Sequence, residues 1–272
     1  LGPRTLNELS GEVVQNTAFI IRVSKPKEGT CGNYYRLVDG KNCSHKEVMF
    51  RANEGFYPNI PQSNFNKIPV NPIGYWASQN MVNHLYNDKT LSETADLRCG
   101  ISTGDNELFY RFWFEVSFNH ISNDPQKTPF NSNFRWFKTI KGGTFRRWFG
   151  CKENVLNLGN SCYDIANSGL NHRLRTASYY NKIGITWNRI GSGKPTIRIK
   201  EDEVNFGENS PCMFIDDCSY INYLIGLLNS KIVEKAISII NPTLSFQSTD
   251  LEKLPIILDD NQPISDLVID NI

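Results

Sequence analysis

Residues 220–240 constrain the fold more than any other stretch. Ile221, Leu224, Leu228, Ile232, Ala236 and Ile239 recur at intervals of three and four, the spacing of a helix that buries one face. Ser219 stands where an N-cap would, and Asn241-Pro242 supplies a stop. The spacing predicts one long helix over Tyr220–Ile240. Elsewhere the period is two. Leu108, Tyr110, Phe112, Phe114 and Val116 alternate with Phe109, Arg111, Trp113 and Glu115, which predicts a strand covered on both faces. Strand-like runs also occupy Val13–Val23, Ile183–Trp187 and Thr196–Lys200. A hairpin is expected within 29–42 and a short helix at Tyr75–Tyr86. Interleaved helix and strand signals without a repeat predict an α+β chain: a twisted mixed sheet with peripheral helices and one long C-terminal helix.

With 272 residues, 39% of them hydrophobic, the chain is long enough for a sizeable core. A loop-like region at 52–73 carries Pro58, Pro61, Pro69 and Pro72. It suggests a small N-terminal piece at 1–60, a main domain at 61–256 and an acidic tail at 257–272. The net charge of +1 conceals a polarity. Residues 135–200 hold 13 Lys or Arg against two acids, whereas 201–272 hold three against 13. A basic middle of this kind suits a polyanion. The seven cysteines form no C-x-x-C pair, and their spacing matches no structural zinc motif. A reduced, cytoplasmic protein fits that usage. No run approaches the ~18 apolar residues of a membrane span. The chain opens on Leu1-Gly2-Pro3 rather than Met, as a piece of a longer polypeptide would.

Within the basic middle, Trp136–Arg147 reads WFKTIKGGTFRR and is followed by Trp148-Phe149-Gly150. Cations neutralise phosphates, aromatic faces stack on bases, and paired glycines admit close backbone approach. Arg135, Lys138, Lys141, Arg146 and Arg147 are therefore candidate DNA contacts, an arginine being able to read guanine with two hydrogen bonds. Trp148 either stacks on DNA or is a core aromatic. Gly142 and Gly143 form either a hinge or a plain tight turn. The loop with Thr103, Asp105 and Asn106 offers small polar groups to DNA, or only ordinary turn chemistry. Arg189, Ser192, Lys194 and Arg198 make a second basic hairpin, with Arg198 and Lys200 on one strand face.

Several phrases together resemble one family. They are PIGYWAS at 72–78, GISTGDNELFYRFWFEV at 100–116, WFKTIKGGTFRRWFG at 136–150, GITW at 184–187, and YLIGLLNSKIVEKAISIINPTLSFQSTDLEKLP at 223–255. In this order they resemble the C-terminal part of the BREX phage-defence adenine-specific DNA methyltransferases (PglX). More distantly they resemble the target-recognition domains of TaqI-like and type IIG modification enzymes. The resemblance implies a parent enzyme that moves a methyl group from S-adenosylmethionine to the amino group of adenine in double-stranded DNA. It also implies that this region reads the site, beside an N-terminal catalytic domain whose closing strands residues 5–23 resemble.

The catalytic signature of such enzymes, a polar residue, two prolines and an aromatic, has two near-misses here. Asn71-Pro72-Ile73-Gly74 lacks the second proline, and Asn241-Pro242-Thr243-Leu244 ends in an aliphatic. Gly191-Ser192-Gly193 is too short for a cofactor loop. No catalytic residue, metal or cofactor is therefore expected in this chain. Two other readings stay open. One is a module that docks other phage-defence proteins. The other is a nuclease domain built on Glu201, Asp202 and Glu203, a group better read as a charged turn.

Overall fold

The structure, a computed structural model, describes residues 1–7, 15–87, 89–190, 194, 196–241, 247–256 and 262–269. The chain forms two compact units, Leu1–Asn87 and Asp88–Ile272.

In the first unit, β1 (Cys31–Tyr35) pairs antiparallel with β2 (Phe56–Pro61), and α1 (Cys43–Arg51) fills the connection. The hairpin expected within 29–42 therefore closes later. Asn42 starts α1 by accepting a hydrogen bond from the His45 amide at 2.9 Å, and that cap converts the return segment into helix. Tyr75 stacks on Tyr34 at 4.7 Å, and its hydroxyl donates to the Tyr35 carbonyl. Phe65 meets Tyr34 edge-on at 5.7 Å. These aromatics tie residues 61–87 to the hairpin, including α2 (Gln79–Asn87), so the unit extends past residue 60. The strand expected at Val13–Val23 is absent from its described part, 15–23. Only Asn16 is laddered there, to Gly2, while Ile20 and Val23 are fully exposed.

The second unit holds β3 (Ala95–Arg98), β4 (Tyr110–Phe112), β5 (Ile121–Ser122), β6 (Trp136–Ile140), β7 (Asn154–Asn157), β8 (Gly184–Thr186), β9 (Arg198–Lys200), β10 (Asn205–Phe206) and β11 (Cys212–Ile215). One sheet has the order β10-β6-β7-β4, with β5 also on β6. β7 runs antiparallel to β6, and β5 and β10 pair with it in parallel, β5 near its start and β10 at its end. The other sheet, β3-β11-β8-β9, is antiparallel throughout. Ile101, Phe109, Tyr110, Phe137, Leu156, Leu158 and Ile165 belong to one buried core cluster, to which β4, β6 and β7 contribute.

Helices α3 (Asn106–Phe109), α4 (Gly159–Ala166), α5 (Ile221–Leu228), α6 (Lys231–Ile240), α7 (Ser248–Leu251) and α8 (Gln262–Ile269) complete the unit. An α+β chain with mixed pairing is what the two periodicities predicted, but two elements differ. The long C-terminal helix is two helices. Ser230 caps α6 by accepting from the Val233 amide, and Asn229 turns away to donate to the Ile197 carbonyl at 3.0 Å. The strand expected over Leu108–Val116 shrinks to β4. Asp105 accepts from the Glu107 and Leu108 amides and imposes α3. Beyond β4, the Glu115 carboxylate accepts from the Phe112 amide and imposes a 3₁₀ turn. Among the described residues no helix is long and apolar enough to cross a membrane.

Candidate nucleic-acid interface

β6 delivers the basic stretch to the edge of the first sheet. It ends at Ile140, whose carbonyl accepts from the Gly207 amide at 2.8 Å. Three other segments cross at that point. The Ile101 amide donates to the Phe206 carbonyl, the Glu208 amide to the Ile101 carbonyl, and the Arg189 amide to the Asn209 carbonyl. Lys141, Gly142 and Gly143 follow directly. With Asn154, Asn188, Ile190 and Asn209 they line an open cleft of about 340 Å³. Gly142 has φ 106°, a conformation that L side chains rarely adopt. Lys141 is half-buried with its Nζ 5.0 Å from the centre of the Tyr110 ring. Burial raises the Tyr110 hydroxyl well above its ordinary pKa, so it stays a neutral phenol beside that cation.

Residues 141–153 return to β7 by a long excursion that is fastened midway. The Trp148 amide donates to the Ile197 carbonyl, and the Trp148 carbonyl accepts from the Ile199 amide, both at 2.9 Å. One residue of the first sheet's loop thus extends the edge of the second sheet. Trp148 sits at φ 73°, a strain of about 1–3 kcal/mol that the two backbone bonds hold in place. Its ring is half-buried.

Arg198 is the largest correction to the sequence reading. It does not face solvent: its side chain is fully buried under the excursion. One guanidinium nitrogen donates to the Arg146 carbonyl at 3.3 Å and another to Asn188 Oδ1 at 2.8 Å. The Asn188 amide nitrogen in turn donates to the carbonyls of Gly143, at 2.8 Å, and Thr144. A buried cation and a buried amide therefore fix the main chain of the Gly-Gly loop. Lys200, on the same strand face, is buried too and donates to the carbonyls of Lys182 and Glu201. The loop at 103–106 is also corrected. Thr103 is buried and donates to Asn106, while Asp105 is occupied in capping α3, so these groups do turn chemistry.

The remaining candidates are not gathered at the cleft. Arg189 lies on its rim, 3.6 Å from Glu208, a carboxylate it shares with Arg173. Lys194 is exposed, and Ser192 lies outside the described residues. Lys138, Arg146 and Arg147 stand 3.6 to 3.7 Å from Glu203, Glu153 and Glu234. Part-exposed pairs of this kind contribute ~0–1 kcal/mol, so a phosphate can displace the carboxylates. Arg135 is exposed just before the start of β6, at the far end from Lys141, and lines a different hollow with Tyr163 and Asp164. Asn154, Asn188 and Asn209 escaped the sequence reading because lone asparagines beside turns carry no pattern. Among the described residues no three His, Cys, Asp or Glu side chains converge on a possible metal site.

The chain is 33% identical over 268 residues to the adenine-specific methyltransferase PglX of Lacticaseibacillus casei (strain Zhang). It is 32% identical over 265 residues to the adenine-specific methyltransferase BrxX of Escherichia coli O9:H4 (strain HS). Each alignment covers 94% of this chain but only 22% and 21% of the relative. The chain therefore spans about a fifth of the length of these curated relatives. No family model matches it.

Proposed function

We propose that this chain is the DNA-recognition region of an adenine-specific DNA methyltransferase of the phage-defence type. The cleft at the Gly-Gly loop carries this reading. It places a lysine and the free amides of Asn154 and Asn209 around a backbone stripped of side chains. An asparagine amide complements the N6/N7 edge of adenine, and lysine supplies charge for a phosphate or a guanine edge. Arg146 follows on the same loop and Arg189 stands between the cleft-lining Asn188 and Ile190, and each is held only by a part-exposed carboxylate pair. Phosphate contacts then set the register of the duplex, and the cleft reads base edges.

The methyl donor of the whole enzyme is S-adenosylmethionine in this reading, and the target adenine would be held at the polar-Pro-Pro-aromatic signature. Tyr75, the aromatic nearest the Asn71-Pro72 near-miss, is stacked on Tyr34 with its hydroxyl bonded to Tyr35, so it is not free to stack on adenine. Residues 242–244 of the second near-miss lie outside the described residues. In this reading methyl transfer is assigned to the remainder of the parent enzyme.

Fluorescence anisotropy with a random-sequence duplex across a salt series tests the reading. Wild type should lose affinity steeply with salt. The Arg146→Glu/Arg147→Glu variant should flatten the slope by about one for each phosphate contact removed. Lys141→Ala/Asn154→Ala should bind the random duplex more weakly than wild type but less weakly than the charge reversal. An absence of binding at low salt, or equal slopes for all three proteins, refutes it. Unchanged DNA affinity in the charge reversal would instead favour the protein-docking reading, which draws on the exposed run Phe19, Ile20, Ile21 and Val23.

A further inference from the structure

The exposed aromatics of the second unit have no role in the cleft described above. Trp113, Phe114 and Phe118 are more than half exposed and Phe112 nearly so, four aromatic side chains within seven residues. Soluble surfaces rarely leave such a patch without a partner. Phe112 and Phe114 lie face to face at 5.3 Å with ring planes 3° apart, and Trp113 stands edge-on to Phe114. The segment is turned outward by two bonds: the Trp113 amide donates to the Glu153 carbonyl, and the Phe112 amide to the Glu115 carboxylate. Beside it lies a second cleft of about 370 Å³ lined by Trp113, Phe118, Ile121, Asn123, Lys138 and Lys152.

The chemistry of this cleft differs from that of the Gly-Gly loop. Its walls are flat and apolar, with one amide at the rim. Asn123 Nδ2 donates to the Ile121 carbonyl, which leaves the amide oxygen to accept from a ligand. Both lysines already hold carboxylates. Lys152 contacts both oxygens of Glu201 at 2.6 Å and also covers the Phe149 ring at 3.9 Å, and Lys138 faces Glu203. The cleft is therefore close to neutral. A flat, weakly charged ligand with hydrogen-bonding edges fits it better than a phosphate does. The lysines come from the basic middle of the chain, so a phosphate linked to such a ligand would find cations at the rim.

We infer that this second cleft holds an unpaired nucleobase, stacked on Trp113 and Phe118, from a single-stranded or locally opened stretch of DNA. The choice of nucleic acid over protein as occupant rests on the proposed function; the cleft itself does not. Stacking supplies the base contact, so binding here should tolerate any base.

The test uses a fluorescein-labelled single-stranded oligothymidylate and, separately, a random duplex. The proteins are wild type, Trp113→Ala, Phe118→Ala and Trp113→Phe, each checked for fold by circular dichroism. These side chains are exposed, so the variants should fold. Trp113→Ala and Phe118→Ala should weaken single-strand binding about 5- to 150-fold, the loss of one base–aromatic stack, while Trp113→Phe retains most of it. Duplex affinity should stay within about twofold of wild type in all of them. The inference is overturned if wild type does not bind the single strand, if the alanine variants bind it as wild type does, or if single-strand and duplex affinity fall together. Single-strand binding that needs Trp113, in a protein with no affinity for duplex, would leave this site standing and remove the duplex-reading cleft.

Discussion

Replacing Asn188 tests whether the Gly-Gly loop is held from within. In Asn188→Ala, Arg198 loses the acceptor at 2.8 Å while remaining fully buried, and its Nε is already without a partner. A hydrogen bond to a charged group contributes about 1.5–3 kcal/mol, and the amide bond to the Gly143 carbonyl adds about 1. The variant should therefore lose about 2–4 kcal/mol of stability. Asn188→Asp separates the two halves of the network. It keeps an acceptor for Arg198 and strengthens it with charge, but sets a carboxylate against the carbonyls of Gly143 and Thr144. Its global stability should stay within about 1 kcal/mol of wild type while the loop is released. Urea denaturation followed by circular dichroism reads the first quantity, and amide exchange of residues 142–147 by mass spectrometry reads the second. Both variants should exchange faster than wild type in that peptide. An Asn188→Ala protein within about 1 kcal/mol of wild type, or an Asn188→Asp protein as unstable as the alanine variant, would refute the account.

Two further outcomes follow from buried groups. Burial lowers the Lys200 ammonium from 10.5 to about 8, so the unfolded chain binds the extra proton between those values. Wild type should therefore gain about 1 kcal/mol relative to Lys200→Met between pH 7 and pH 9. Urea titrations at the two pH values read this before the buried Cys162 and Cys212 thiols, pushed up to about 11 and about 12, penalise more alkaline conditions in both proteins. At the crossing point of the chain, a Cβ on Gly100 would lie 2.0 Å from the Gly207 carbonyl oxygen. Gly100→Ala should cost about 3 kcal/mol in a denaturant titration, because main chain has to move apart to admit it; an unchanged midpoint would show that the crossing is loose.

The sequence exposed the basic and aromatic stretch but not the way it is held. Strand periodicity puts Arg198 and Lys200 on one face, yet period two is symmetric and does not say which face is inside. The face is decided by the excursion at 141–153, which closes over β9, and that pairing joins residues some fifty positions apart. Alternation at 108–116 has the same weakness, with aromatic residues on both faces. The local signals there, Asp105 ahead of α3 and Glu115 three residues after Phe112, outweigh alternation once their side chains meet backbone amides. The split between α5 and α6 was legible in principle, since Ser230 precedes a helical run with Glu234 in its first turn. It was overridden by apolar spacing that continues across Asn229-Ser230. Asn188, Asn154 and Asn209 were not legible at all, since their importance comes only from the segments that converge on them.

The fastening of Trp148 to β9 divides the excursion between β6 and β7 into two short arms with separate closures. Closing each arm is a smaller entropic task than closing the whole. The anchor is made entirely by main-chain groups, so it does not depend on which side chains the arms display. The first arm carries Lys141 to Arg147, and the second carries Phe149 to Glu153 toward the aromatic cleft. The first is tied further by Asn188 and Arg198, so the second is the freer of the two. A change confined to one arm therefore need not unseat the other, as a belt buckled at its middle holds when one end is let out.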